Sequence, residues 1–140
     1  SLRGHKFKEL PIIIENLEDI KQTKELKQLL EKLGLDKEIE RTSKKRKSAG
    51  KSKMRGKGQK TSKGPLIVIE KESPLSKSAR NLQGFEICLV NSLNAELLAP
   101  GTQPGRFTIW STGAIQKLEK ENLYYKENGS VQNTKKSPSN

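Results

Sequence analysis

This 140-residue chain has one cysteine and one histidine. Cys88 has no partner for an internal disulfide, and a single thiol excludes a Cys-rich zinc site. It fits a reducing, intracellular setting. His5 stands in a polar amino-terminal run with no metal-binding or triad companions nearby. Aromatic residues make up 4% of the chain, so any core is modest and base-stacking platforms are few. No stretch approaches the roughly 18 consecutive apolar residues of a membrane-spanning helix, and residues 1–9 lack the apolar run of a secretory signal. Acidic residues are missing altogether between Arg41 and Gly64.

That last absence sits beside a concentration of the opposite charge. The segment 41–64, RTSKKRKSAGKSKMRGKGQKTSKG, holds eleven of the 28 basic residues: Arg41, Lys44, Lys45, Arg46, Lys47, Lys51, Lys53, Arg55, Lys57, Lys60 and Lys63. The chain is +12 overall, whereas residues 1–40 are −1, residues 65–125 neutral and residues 126–140 +2. Two nearly neutral blocks are thus joined by a cationic strap. Ala49 and Met54 are its only apolar residues, too few to offset the ordering entropy, so the strap is expected to be mobile in isolation. Gly50, Gly56 and Gly58 let its backbone bend closely against a surface. A polynucleotide is the partner that such charge fits best, because each phosphate contact releases condensed counterions. A solvated linker, or a nuclear localisation signal at Lys44–Lys47, is the plainer reading. A membrane surface fits poorly, since no amphipathic apolar face accompanies the charge.

The flanking blocks carry alternating strand and helix signals. Leu10–Ile14 is a continuous apolar run, as in a strand buried on both faces. Thr23 has the chemistry of an N-cap; Leu26, Leu29, Leu30 and Leu33 follow at helical spacing, and Gly34 stands at the C′ position. Pro65 introduces a second buried strand at Leu66–Ile69. Ser73-Pro74 reads as a cap with proline at N1, opening a helix with Leu75, Ala79 and Leu82 on one face. Phe85–Val90 is a third strand, with Cys88 a small hydrophobe. Asn94 caps a short helical turn, Pro100–Gly105 forms a double turn, Arg106–Trp110 is a fourth strand, and Ser111 caps a last helix. This succession predicts an α/β fold, a parallel sheet of about four strands with helices on both faces, interrupted by a long basic loop. Residues 1–125 then form one domain with the insertion 41–64, followed by a disordered polar tail at 126–140. The strap connects a helix to the next strand, so it leaves from the end of the sheet where the strands begin. Roughly thirty residues separate Gly34 from Leu66, against the usual 2–6 for such connections.

No reaction chemistry emerges from the residues. The spacing Gly50…Gly56-Lys57 fails as a phosphate-binding loop: five residues separate the glycines, and Gly58 stands where a Ser or Thr must hold magnesium. Glu70 and Glu72 alternate at a strand end and read as a solvated pair, and Ser111 reads as a cap rather than a nucleophile. The carboxyl end of the sheet, where open α/β folds bind ligands, is expected to be a neutral cleft. Catalytic residues, metal ligands, a cofactor and a small-molecule substrate are not expected.

The ordered motifs Arg3–Lys6 (RGHK), Leu10–Glu15, Lys21–Glu25, Ala49–Lys51, Met54–Gly56, Ala79–Asn81, Leu93-Asn94, Leu97–Gly101 (LLAPG) and Pro104–Trp110 (PGRFTIW) resemble the carboxyl-terminal half of ribosomal protein L-four of the large subunit, in its archaeal and eukaryotic form. The resemblance covers about residues 3 to 120. It implies a Rossmann-like domain that binds large-subunit ribosomal RNA without catalysis, beside other large-subunit proteins, in the cytoplasmic ribosome. It places Lys51, Lys53, Arg55 and Lys57 on RNA, with Arg80 and Arg106 as further candidates in the motifs ARN and PGR. The family's amino-terminal half, with further strands and a long loop toward the exit tunnel, has no counterpart here.

A structural RNA-binding component of the large subunit is therefore the expected function. The alternatives are an extraribosomal basic protein that binds nucleic acid nonspecifically and a divergent nucleotide-binding enzyme.

Overall fold

The computed structural model describes residues 10–125. The readings of His5, of the motif at residues 3–6 and of the polar tail from residue 126 lie outside the described residues.

The described residues form six strands, β1 (Ile12–Ile14), β2 (Arg46–Lys47), β3 (Gln59–Lys60), β4 (Leu66–Ile69), β5 (Glu86–Leu89) and β6 (Thr108–Ser111). Between them lie α1 (Thr23–Lys32), α2 (Asp36–Ser43), α3 (Lys51–Met54), α4 (Leu75–Asn81) and α5 (Ala95–Leu98), and α6 (Thr112–Lys120) follows the last strand. The main sheet has the order β1-β6-β4-β5, with every neighbouring pair parallel. The last strand in sequence is thus inserted between the first two strands of that sheet.

Strand alternation divides β4 between two apolar layers. Ile67 and Ile69 face the cluster of Leu26 and Leu30 from α1, Leu75 and Ala79 from α4, and Phe85, Phe107 and Ile109. Leu66 and Val68 face the other way, onto Ala114 of α6 and Val90, with Trp110, Leu118 and Leu123 alongside. All four β4 residues are buried, as a central strand covered on both sides requires. The expected α/β architecture with helices on both faces is present.

Local chemistry fixes the helix ends, in two places otherwise than expected. Gly34, at φ +73°, closes α1: its amide donates to the Glu31 carbonyl at 2.9 Å, and Leu35 N–H reaches back to Leu30 O at 3.0 Å. This paired return, with Leu35 buried behind it, is the Schellman arrangement. Asn94 caps α5 through Leu97 N–H at 2.8 Å, and Ser111 caps α6 through Ala114 N–H at 3.1 Å. Thr23, in contrast, is the first helical residue after Gln22, and its hydroxyl accepts from Asn81 at 3.4 Å. Pro74 rather than Ser73 precedes α4, and the Ser73 hydroxyl is buried with no hydrogen-bond partner. β1 also differs from a doubly buried strand. It is a sheet edge where Ile12 and Ile14 pack on the first cluster while Ile13 stays 49% exposed.

Candidate nucleic-acid interface

The strap is a β-hairpin with a helical turn at its tip. β2 and β3 pair antiparallel, with Arg46 opposite Lys60 and Lys47 opposite Gln59, and Ser48 N–H extends the ladder to Gly58 O at 2.9 Å. Gly50 enters the tip at φ 64°, ψ −144°, a conformation that side chains oppose. Gly56, at φ +73°, closes α3 with the same device as Gly34: its amide donates to Lys53 O at 3.1 Å, and Lys57 N–H donates to Ser52 O at 2.9 Å. The expectation of a strap mobile in isolation rested on its lack of apolar residues, a pattern that does not reveal the conformation it takes. Backbone hydrogen bonds and two left-handed glycines give it a local form without any core.

Its cations divide into two groups. Lys45, Arg46, Lys47, Lys51, Lys53, Arg55, Lys57 and Lys60 are exposed along the hairpin. Arg46 and Lys60 face each other across the ladder, an arrangement of like charges that is unfavourable until an anion is supplied. Lys44 pairs with Glu40 at 2.7 Å, but both are largely exposed, and such a pair is worth little in water. Arg80, exposed in the last turn of α4, is returned by that helix to the end of the sheet where β5 begins, the same end from which the hairpin projects.

Arg41, Lys63 and Arg106, also read from the sequence as RNA candidates, differ from the exposed group in having partners within the protein, and of the three only Arg106 is buried. The Arg41 guanidinium donates to both carboxylate oxygens of buried Glu38 and to Lys63 O at 2.6 Å. The Glu38 hydrogen bond raises the arginine pKa further, against the opposing effect of burial. Lys63 Nζ donates to Glu86 Oε1. The Arg106 side chain is 1% exposed; Nε donates to Gly64 O at 2.8 Å, and Nη1 to Glu86 Oε2 at 2.7 Å and Leu97 O at 2.9 Å. The proximity of a motif to a basic strap could not distinguish a buried arginine from an exposed one. Burial raises the Glu86 carboxyl, but hydrogen bonds from Lys63 and Arg106 outweigh it and hold the pKa below the ordinary value.

Glu38, Glu86 and Thr42 form the base of the hairpin, and sequence reasoning missed all three. Thr42 is buried and returns its hydroxyl to Glu38 O at 3.0 Å. Beside the base lies a concavity of about 500 Å³ lined by Lys63, Glu86, Asn94, Glu96 and the LLAPG turn.

The opposite end of the sheet is acidic rather than neutral. A cleft of about 360 Å³ at the carboxyl ends of β1, β4 and β6 is lined by Glu15, Glu18, Asp19 and Glu70, with Ser111 and Gly113. Glu18 Oε1 accepts from Glu70 N–H at 2.9 Å and from Ser111 Oγ at 3.0 Å. Ser111 therefore faces a carboxylate and a helix amide, not an activating imidazole. No cluster of His, Cys, Asp and Glu suited to a metal occurs among the described residues. Burial pushes the half-buried Cys88 thiol up to about 11, which keeps it protonated. Among the described residues the exposed hairpin cations thus project from the amino end of the sheet, whereas the cleft carboxylates lie at the carboxyl end.

A sequence profile of the Ribosomal protein L4/L1 family matches residues 5–121. Large ribosomal subunit protein uL4 of Nanoarchaeum equitans is 45% identical over 125 residues, covering 88% of this chain and 47% of the relative. Its counterpart from Methanosphaera stadtmanae is 45% identical over 121 residues, covering 83% of this chain and 47% of the relative. The chain thus spans about half the length of the curated relatives it matches.

Proposed function

The chain belongs to the ribosomal protein L4/L1 family, and on that premise we propose that it is a non-catalytic structural element of the large ribosomal subunit that binds ribosomal RNA through the hairpin 44–60. It works in the cytoplasmic ribosome beside other large-subunit proteins. Residues 10–125 act as one α/β unit with the hairpin as its insertion. The observation that carries the reading is the group of eight exposed cations on a hairpin whose like charges face each other, with no carboxylate paired to them among the described residues. Lys51, Lys53, Arg55 and Lys57 crowd the tip and meet phosphates, and Arg80 extends the surface along the same end of the sheet. Arg55 can grip a phosphate with two parallel hydrogen bonds, which a lysine cannot. The acidic cleft at the far end repels RNA and so orients the domain on it.

The experiment is an anisotropy titration with a large-subunit rRNA fragment, repeated with duplex DNA as competitor. Structured rRNA that withstands excess duplex supports the ribosomal reading. Equal competition would make the protein a nonspecific nucleic-acid binder.

A further inference from the structure

The returning limb of the hairpin is held in an unusual way. Three successive carbonyls, those of Lys63, Gly64 and Pro65, accept from two guanidiniums: Arg41 takes the first, and Arg106 the second and third, at 2.8 and 3.5 Å. Each arginine is itself fixed by a carboxylate, Arg41 by Glu38 from the preceding turn of α2 and Arg106 by Glu86 at the start of β5. Glu86 also holds the Lys63 ammonium, so the limb is gripped through both backbone and side chain. Gly64 N–H adds a bond to Gly84 O at 2.8 Å.

We propose that Arg106, with Arg41, is a positioning residue for RNA binding: the pair fixes the direction in which the hairpin leaves the sheet, and Glu86 locks Arg106 in place. The proposal rests on the hairpin reading above. A hairpin joined to the sheet by two free chains would keep every cation but swing. A structured RNA needs the phosphate contacts and the Arg80 surface engaged together, so ordering that swing on binding would weaken the complex. A flexible polyanion can follow the hairpin wherever it points and does not read the direction. The buried guanidinium therefore affects affinity without touching a phosphate. Lysine cannot replace it, because a point charge on a flexible stem does not span Gly64, Leu97 and Glu86 in one plane.

The full chain tests this in the variants Arg106→Gln, Arg106→Lys and Glu86→Gln. For Arg106→Gln, affinity for the structured rRNA fragment falls about tenfold or more, affinity for poly(U) stays within about twofold, and the salt slope is unchanged because no phosphate contact is lost. Arg106→Lys restores little. A slope reduced by about 0.7–0.9, with equal losses on both RNAs, would make Arg106 a phosphate contact and overturn the proposal. Undiminished affinity for structured rRNA would overturn it as well.

A second readout does not depend on RNA. Spin labels at Met54→Cys and Lys77→Cys in a Cys88→Ser background give a single narrow distance distribution in the parent, which broadens in Arg106→Gln and Glu86→Gln. A distribution unchanged in both variants rejects the clamp. If the parent binds no rRNA, the functional reading fails while the distance data still decide the clamp. Where Arg106→Gln does not fold, Glu86→Gln carries the test, since its carboxylate is partly exposed and its amide keeps the side-chain shape.

Discussion

Gly64 donates its amide to the Gly84 carbonyl at 2.8 Å, and neither glycine has room for a side chain. A Cβ on Gly64 would lie 2.7 Å from Thr42 Cγ2 and 3.0 Å from Gly84 O; one on Gly84 would lie 2.5 Å from Ser62 O. The hairpin is therefore seated against the start of β5 by backbone approaching backbone.

Gly64→Ala should destabilise the protein by about 1–3 kcal/mol, as overpacking does where backbone cannot yield. Gly84→Ala should cost more, because its φ of +80° adds about 1–2 kcal/mol of left-handed strain. Urea melts check both. Gly56→Ala, with open space around its Cβ at φ +73°, should show only the strain.

Leu30→Ala should cost about 2–5 kcal/mol, since Leu30 is fully buried beneath α1. Lys27→Ala, on the exposed face where it pairs with Glu31 at 3.8 Å, should stay within about 0.5 kcal/mol. Equal losses in denaturant would contradict the assigned helix face.

Glu86 predicts the direction of a pH effect. Its folded pKa lies below the ordinary 4.5, so the unfolded state binds more protons in this range and stability rises with pH. The contribution is present above 4.5 and is lost as pH falls through the lower folded value. Melting temperatures measured downward from pH 5 should fall more steeply in the parent than in Glu86→Gln. Parallel profiles would show that the carboxylate is not held by Lys63 and Arg106.

Cys88 should be nearly inert to thiol reagents at pH 8. With a pKa of about 11, about one thiol in a thousand is ionised. Reaction with a chromogenic disulfide should be slow in buffer and rapid in denaturant.

Much of the fold was legible because it is written in local spacing. Leu26 and Leu30 at i, i+4 with Gly34 behind them give α1 and its end, and Leu66–Ile69 after Pro65 gives the central strand. Asn94 and Ser111 announce their helices for the same reason. The hairpin form was not legible because backbone bonds and positive-φ glycines, rather than an apolar pattern, define it. The base of the site was illegible for another reason. Glu86 meets Arg106 only because Leu66 of β4 lies opposite Glu86 on one side and Thr108 on the other. That register is set by three strands distant in sequence, and nothing in the spacing of Glu86, Lys63 and Arg106 distinguishes a carboxylate linked to a buried arginine and a partly exposed lysine from three solvated charges. Ile13 misled likewise: strand order made β1 an edge.

The central claim is that phosphate neutralisation by the hairpin drives binding, and the salt dependence of rRNA affinity tests it most directly. With about 0.7–0.9 per phosphate contact and eight exposed hairpin cations engaged, the slope of log K against log salt should be about −6 to −7. Replacing Lys51, Lys53, Arg55 and Lys57 together by Ala should flatten it by about 3 and leave the thermal melt of the α/β unit nearly unchanged, since these side chains support no core. A quadruple variant whose slope equals that of the parent would contradict the account and move the RNA site off the hairpin.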